Sequence, residues 1–272
     1  MMRTDERLKE HYEVERALAD RLRHAKRDDR TQLYSAVYDE LFRRVPDHPQ
    51  VTRKHDPREQ EAAVDERLEL LSRLLNDDSV FLEIGAGDGG LCDRVAQRVR
   101  KCYALDVSRE IFDKPGHVNV EFVLSDGRTI GVPDGSITVA YSYQVMEHIH
   151  PDDAREQLTN IFRALAPGGG YLCVTPNKLN GPHDISRYFD AVATGFHLKE
   201  YTVTELRKLF REIGFRSVHA YVGFSHRYFR VPAGIVSALE ALLGVLPRAV
   251  ALRMASLPVV RNLLFISLLG VK

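Results

Sequence analysis

Three stretches of this 272-residue sequence hold residue types that can do chemistry at close spacing. The first is Glu83-Ile84-Gly85-Ala86-Gly87-Asp88-Gly89-Gly90. Its glycines allow a sharp backbone turn and let a ligand come close to the main chain. Gly85, Gly87 and Gly90 satisfy the dinucleotide pattern G-x-G-x-x-G, yet Glu83 argues against a dinucleotide. A carboxylate beside the turn repels a pyrophosphate and attracts a cation. The second stretch is Gln144-Val145-Met146-Glu147-His148, whose Glu-His pair suits proton transfer, because the ordinary pKa of histidine lies near neutrality. The third, from Pro176 to Tyr201, scatters Asn177, His183, Asp184, Arg187, Tyr188 and His197 through a long run rich in Pro, Gly and Asn.

Each stretch follows a segment able to hold it in place. Val80–Ile84 is a short apolar run of the kind found in a buried parallel strand, and 91–99 fits the helix after the glycines. Further strands are predicted over 102–106, 118–124, 137–142, 171–175 and 215–222. Open sheets of this kind bind ligands beyond the carboxyl ends of their strands. Asp106 ends the second strand about twenty residues past the glycines, where an acid can accept both hydroxyls of a ribose. It can equally cap the helix that follows. Asp152 reads as the cap of a helix over 153–165 rather than as a metal ligand. Thr202 and Glu205 form a Thr-x-x-Glu capping box for a helix ending at Gly214. Before the first strand, residues 1–30 suggest a solvated helix with a thin apolar stripe. A second helix is expected from Tyr34 to Val45, a loop over 47–57, and a third helix from Arg58 to Leu75. These helices either close over the ligand or pack at the sheet edge.

In this order the motifs resemble those of class I S-adenosylmethionine (SAM)-dependent methyltransferases. Glu83-x-Gly85-x-Gly87-x-Gly89 resembles their first motif. Val132–Ser142 is similar to their "pDgsfDvv" run, with Thr138 in place of the second acid, and Pro167-Gly168-Gly169 matches their turn into the fifth strand. The resemblance implies an α/β, Rossmann-like three-layer sandwich: a seven-stranded sheet with an antiparallel last strand over 262–270. It also implies a helical N-terminal cap over 1–76, a methyltransferase domain over 77–272, and a helical insertion over 224–260. SAM, leaving as S-adenosylhomocysteine, would contact Glu83, Gly85, Ala86, Gly87, Asp106, Val107, Asp126, Gly127 and Gln144, with Asp126 on the exocyclic amine of adenine. His148 is the expected base, with Glu147, His183 and Asp184 as further catalytic candidates. Asn177, Arg187, Tyr188 and His197 are expected to bind the acceptor. Nothing in these motifs fixes whether a metal such as Mg²⁺ takes part.

The loop over 181–201 carries a narrower resemblance, to bacterial methyltransferases of surface- and storage-polysaccharide pathways. It implies O-methylation of a sugar or short glycan. A lipid or quinone acceptor at a membrane surface is the alternative suggested by the apolar insertion, which could also form a homodimer surface. A nonenzymatic SAM-fold interaction module is the other.

Composition narrows the field. The 38 basic and 38 acidic residues balance, so no broad basic footprint for nucleic acid is expected. Cys92, Cys102 and Cys173 fit no zinc spacing and read as small core residues of a reducing, cytoplasmic compartment. The charged N-terminus resembles no secretory signal, and no uncharged apolar run is long enough to span a bilayer.

Overall fold

In the computed structural model, which describes residues 3–49, 57–109, 112, 116–224 and 227–272, Val80–Ile84 forms strand β1, buried at every position. Burial on both faces suits an unbroken apolar run at the centre of a parallel sheet. β2 (Lys101–Asp106) and β3 (Val120–Leu124) lie to one side of it. β4 (Ile137–Tyr143) and β5 (Leu165–Thr175) lie to the other. With β6 (Ser217–Phe224), β7 (Arg227–Pro232) and β8 (Ile266–Val271), the eight strands run in the order β3-β2-β1-β4-β5-β8-β6-β7. Chain order reverses between β1 and β4, which creates the crevice where such sheets take their ligands.

Helices cover both faces. α5 (Pro151–Ala164) and α6 (Val203–Ile213) bury Leu158, Ile161, Leu206 and Phe210 on one side. On the other, α3 (Pro57–Leu71) and α4 (Gly90–Ala96) bury Leu68, Leu71, Leu91 and Val95. The predicted capping box is present: Thr202 Oγ1 accepts from Glu205 N and Glu205 accepts from Thr202 N. His150 rather than Asp152 caps α5, its ring nitrogen accepting from Asp152 N.

The sheet departs from expectation at its far edge. Arg227–Pro232 forms β7, an eighth strand antiparallel to β6 (Ser217–Phe224). Its exposed Arg227 and Arg230 and its terminal Pro232 are features that blunt an open edge. The insertion is thus a hairpin strand followed by α7 (Ala233–Gly244), α8 (Arg248–Ala255) and α9 (Pro258–Leu264). The last strand, β8 (Ile266–Val271), starts later than predicted because Asn262–Leu264 finish α9. It lies antiparallel between β5 and β6, as expected.

The N-terminal segment is more deeply packed than a solvated helix. α1 (Asp5–His24) buries His11, Tyr12, Val14, Glu15, Leu18, Ala19 and Leu22. Together with α2 (Arg27–Arg44) and Phe196 it makes a core of its own. α3 instead joins the core of the sheet. Residues 50–56 of the expected loop lie outside the described residues. All three cysteines are buried and free.

Candidate active site

A cleft of 1410 Å³ lies over the carboxyl ends of β1, β2, β3 and β4. Its floor is the turn after β1, where Gly85 and Gly87 have φ of 74° and 57°. A side chain at Gly85 would run into Val145, whereas Gly87 faces open space. That bare backbone beside a cleft is what a close-lying ligand needs. Asp106, only 8% exposed, accepts from Gly87 N (2.8 Å) and Ser108 N (3.0 Å). One carboxylate therefore ties the glycine turn to the end of β2 and still lines the cleft. An opening of this size, a bare glycine backbone and an acid at the ribose position fit SAM.

Of the residues expected to contact a cofactor, Gly85, Ala86, Gly87, Asp106, Val107, Gly127 and Gln144 line this cleft. Glu83 and Asp126 do not. Glu83 is 2% exposed and lies beneath the turn, where Cys92 Sγ–H donates to it at 3.1 Å. Burial pushes its carboxyl up to about 7. Asp126 folds back on its own loop, accepting from Arg128 N, Thr129 N and Thr129 Oγ1 at 2.7–2.9 Å. Its neighbours Ser125 and Gly127 face the cleft instead.

The segment after β4 forms the opposite wall. Gln144 is the one non-glycine among the described residues with positive φ, at 55°. Strain of this kind persists where the surroundings enforce it, often at functional sites. His148 lines the cleft beside Val145, and its Nδ1 donates to Phe196 O at 3.0 Å. Burial, assisted by His197, pulls His148 down to about 3, so its ring is neutral and a weaker base than its sequence suggests. Glu147 is fully buried and accepts from Thr175 Oγ1 at 2.8 Å; burial pushes it up to about 7. His197 comes from the loop to meet them. Its ring stands edge-on to His148 at 5.0 Å and donates to Glu200 Oε1 at 2.7 Å.

The loop separates the other candidates. His183 lines a second cavity, of 660 Å³, together with Gln144, Asn180, Arg227, Tyr228, Arg261 and others. Its Nε2 lies 3.0 Å from Asn177 O and from Asn180 Oδ1. Asp184 turns away: it caps a short 3-10 turn through Ser186 and accepts from His197 N. Asn177 borders the cavity, but its amide is engaged inside the protein by Glu240, Leu264 O and Leu179 N. Arg187 stacks on Tyr188, which is 58% exposed; neither lines a cavity described here.

Sequence reasoning missed several cleft residues. Tyr34, Tyr38 and Phe42 of α2 wall the cofactor cleft. Their helical spacing marked an inner face but not its target. Arg227, Tyr228 and Arg261 of the second cavity flank the apolar run over 231–258, which drew attention away from them.

Comparison with known proteins agrees with this geometry. The profile of the methyltransferase-domain family matches residues 55–220. A probable SAM-dependent methyltransferase of Mycolicibacterium smegmatis is 31% identical over 139 residues, 49% of this chain and 51% of the relative. The chain thus spans about half the length of that protein. A SAM-dependent Diels–Alderase of a Neonectria species is 32% identical over 181 residues, 62% of this chain and 69% of the relative. The crystal structure of a SAM-dependent methyltransferase from Archaeoglobus fulgidus superposes with a TM-score of 0.52 at 16% identity, covering 78% of this chain and 94% of that one. That likeness shows the fold. With cleft, strand order and family profile in agreement over most of the chain, this protein belongs to the methyltransferase-domain family in its class I form, with SAM as its cofactor.

Proposed function

We propose that the chain transfers a methyl group from SAM to a hydroxyl of a sugar or glycan precursor. One observation carries the reading: Gln144 lines both cavities, so the cofactor cleft and a second chamber share a wall. A 660 Å³ chamber falls within the range of small-molecule sites. Asn180, His183 and Asn262 offer partners for hydroxyls, Tyr221, Tyr228 and Phe265 offer ring faces for C–H surfaces, and Arg227 and Arg261 suit an anionic group on a precursor. Residues of both the loop and the insertion line this chamber.

When bound, SAM supplies a methyl carbon made electrophilic by its sulfonium. The protein's part is to hold the acceptor oxygen in line with it, and such positioning accounts for much of the rate. Gln144, fixed in its unusual backbone conformation, stands at the junction. His148 Nε2, on a ring oriented by the Phe196 carbonyl, is set to accept a hydrogen bond. The hydroxyl proton must leave as the new C–O bond forms, and His183, which lines the chamber, can take it directly or through water.

The test is S-adenosylhomocysteine release against a panel of sugars and nucleotide sugars. His183→Ala should lower kcat/KM by about tenfold or more, since pockets built to pair hydroxyls lose heavily when a partner is missing. SAM affinity should stay within a few-fold. Turnover of quinols or lipids with none of sugars overturns the sugar reading. SAM binding without release on any acceptor points to non-transfer chemistry, as the name of the Neonectria relative implies for that protein.

A lipid or quinone acceptor is the second reading. Ile235, Leu242, Val245, Val250, Leu257 and Val259 are exposed on α7–α9. Residues 241–265 hold three arginines and no acid. An apolar and basic surface suits an anionic bilayer, although no helix among the described residues is long and apolar enough to cross a membrane. Salt-sensitive co-sedimentation with phosphatidylglycerol vesicles would favour it.

A further inference from the structure

We propose that Glu147, His148 and His197 bind one divalent first-row transition-metal ion in the wall of the cofactor cleft. One ligand atom from each of the three lies within 4.8 Å of the others. In each residue a hydrogen bond engages one polar atom and leaves another available. The partner of His148 Nδ1 is the Phe196 carbonyl, which can only accept, so Nδ1 carries the proton and Nε2 the lone pair. His197 Nδ1 donates to Glu200 Oε1, which leaves its Nε2 as the nitrogen an ion can take in place of the proton that the nearby carboxylates favour. Glu147 Oε2 accepts from Thr175, while Glu147 Oε1 is buried with no hydrogen-bond partner among the described residues. A buried carboxylate oxygen without a donor is costly and calls for an explanation.

The supporting bonds match those around metal ligands. A ligating histidine donates its second N–H to a carbonyl or a carboxylate, which fixes the tautomer and aims the lone pair. Both forms occur here, one on each ring. Two imidazoles and one carboxylate suit zinc, iron, cobalt, nickel or manganese better than the all-oxygen shells of magnesium and calcium. Three protein ligands leave coordination positions open, as in catalytic rather than structural sites. Since His148 lines the cleft, those positions can face it.

A second group, His11, Glu15 and His48, is similarly close but carries no such proposal. His11 binds Glu15 Oε2 through one nitrogen and the Arg3 guanidinium through the other, both at 2.8 Å. The remaining Glu15 oxygen accepts from Phe196 N. Its donors are engaged, and a cation already stands beside them.

The role of the ion, unlike its binding, rests on the proposed methyl transfer: it would hold an acceptor oxygen beside the cofactor. Binding is therefore measured without acceptor. The chelator-stripped chain is titrated with Co²⁺, followed by visible absorption, and with Zn²⁺ by calorimetry. One ion per chain is expected. Glu147→Gln and His197→Gln should each weaken binding by at least about tenfold, given that even outer-shell partners contribute 10–100-fold. His11→Gln should leave it unchanged. A circular dichroism spectrum and thermal unfolding midpoint like those of wild type verify the fold of each variant, and His148→Asn replaces any variant that fails this check. Absence of a Co²⁺ spectrum, or binding that survives Glu147→Gln and disappears in His11→Gln, overturns the site. Metal binding without turnover on any acceptor upholds the site and sinks the methyl-transfer reading. Turnover indifferent to EDTA with no Co²⁺ binding does the reverse.

Discussion

Asp106 and Glu83, two carboxylates at neighbouring strand ends, sit in opposite surroundings. Asp106 accepts two backbone N–H groups and faces the cleft. Hydrogen bonds to charged groups contribute roughly 1.5–3 kcal/mol. Asp106→Ala should therefore weaken SAM binding by about one to two decades by calorimetry; unchanged affinity in a folded variant removes Asp106 from the ribose role. Glu83, buried under the turn, has a folded pKa of about 7 against an unfolded value near 4.3. The folded state thus holds a proton that the unfolded state releases between those values. Its contribution to stability is full below about pH 4, is lost as pH rises to about 7, and is then flat. The total is on the order of 3 kcal/mol. Glu83→Gln should match wild type in urea denaturation at pH 4 and exceed it at pH 8. Parallel curves for the two proteins would rule this out.

At the scale of elements, the first turn of α6 is held by a residue far away in sequence. Thr202 and Glu205 cap each other, as their spacing predicts. The next two N–H groups, of Val203 and Thr204, donate to the buried carboxylate of Glu240 on α7 at 2.7 and 2.8 Å. Thr204 Oγ1 and Asn177 Nδ2 donate to the same group. A carboxylate at a helix N-terminus also complements its dipole. Glu240 thereby fastens the insertion to the sheet helices and to the segment leaving β5. Thr202→Ala should cost about 1 kcal/mol. Glu240→Leu strands four donors in the interior and should cost about 3–5 kcal/mol. Chemical denaturation checks the ratio; equal losses would mean that Glu240 contributes no more than a cap.

For the whole molecule, α2 supplies part of the wall of the cofactor cleft, and α1 packs against α2. Arg30 Nε and Nη2 donate to the two oxygens of Asp153 on α5 at 2.7 and 2.8 Å, and Tyr34 adds a third bond. Burial alone would raise the Asp153 pKa, but these bonds outweigh it and the net shift is downward. α1 reaches the loop through Arg23 on the carbonyls of Thr194 and Gly195, and through Glu15 on Phe196 N. Breaking a buried pair from one side costs about 3–5 kcal/mol. Asp153→Ala should expose residues 3–44 to limited proteolysis and raise the Kd for SAM as Tyr34, Tyr38 and Phe42 leave the wall. Wild-type protease resistance with wild-type affinity would show that the cap packs at the edge without closing the cleft.

What the amino-acid sequence determined by itself was whatever depends on near neighbours. The glycine turn is legible because positive φ is a property of one residue, the capping box because its partners are three apart, and β1 because full burial requires an unbroken apolar run. The order of these signals sufficed for the fold class and the cofactor. Tertiary structure decided which way side chains face and whom they meet. Glu83 turns to Cys92 rather than to the cleft, and Asp126 turns to its own loop while Ser125 and Gly127 replace it at the wall. His183 and Asp184, adjacent in the chain, point to different surroundings, and the exposed edge strand β7 hides in a run that reads as helix. His197 joins Glu147 and His148, and Glu240 joins Asn177 and Thr204, only because the sheet brings distant segments together. Pairings across such separations leave no periodic trace in a sequence, because the geometry that makes them exists only after the core has closed.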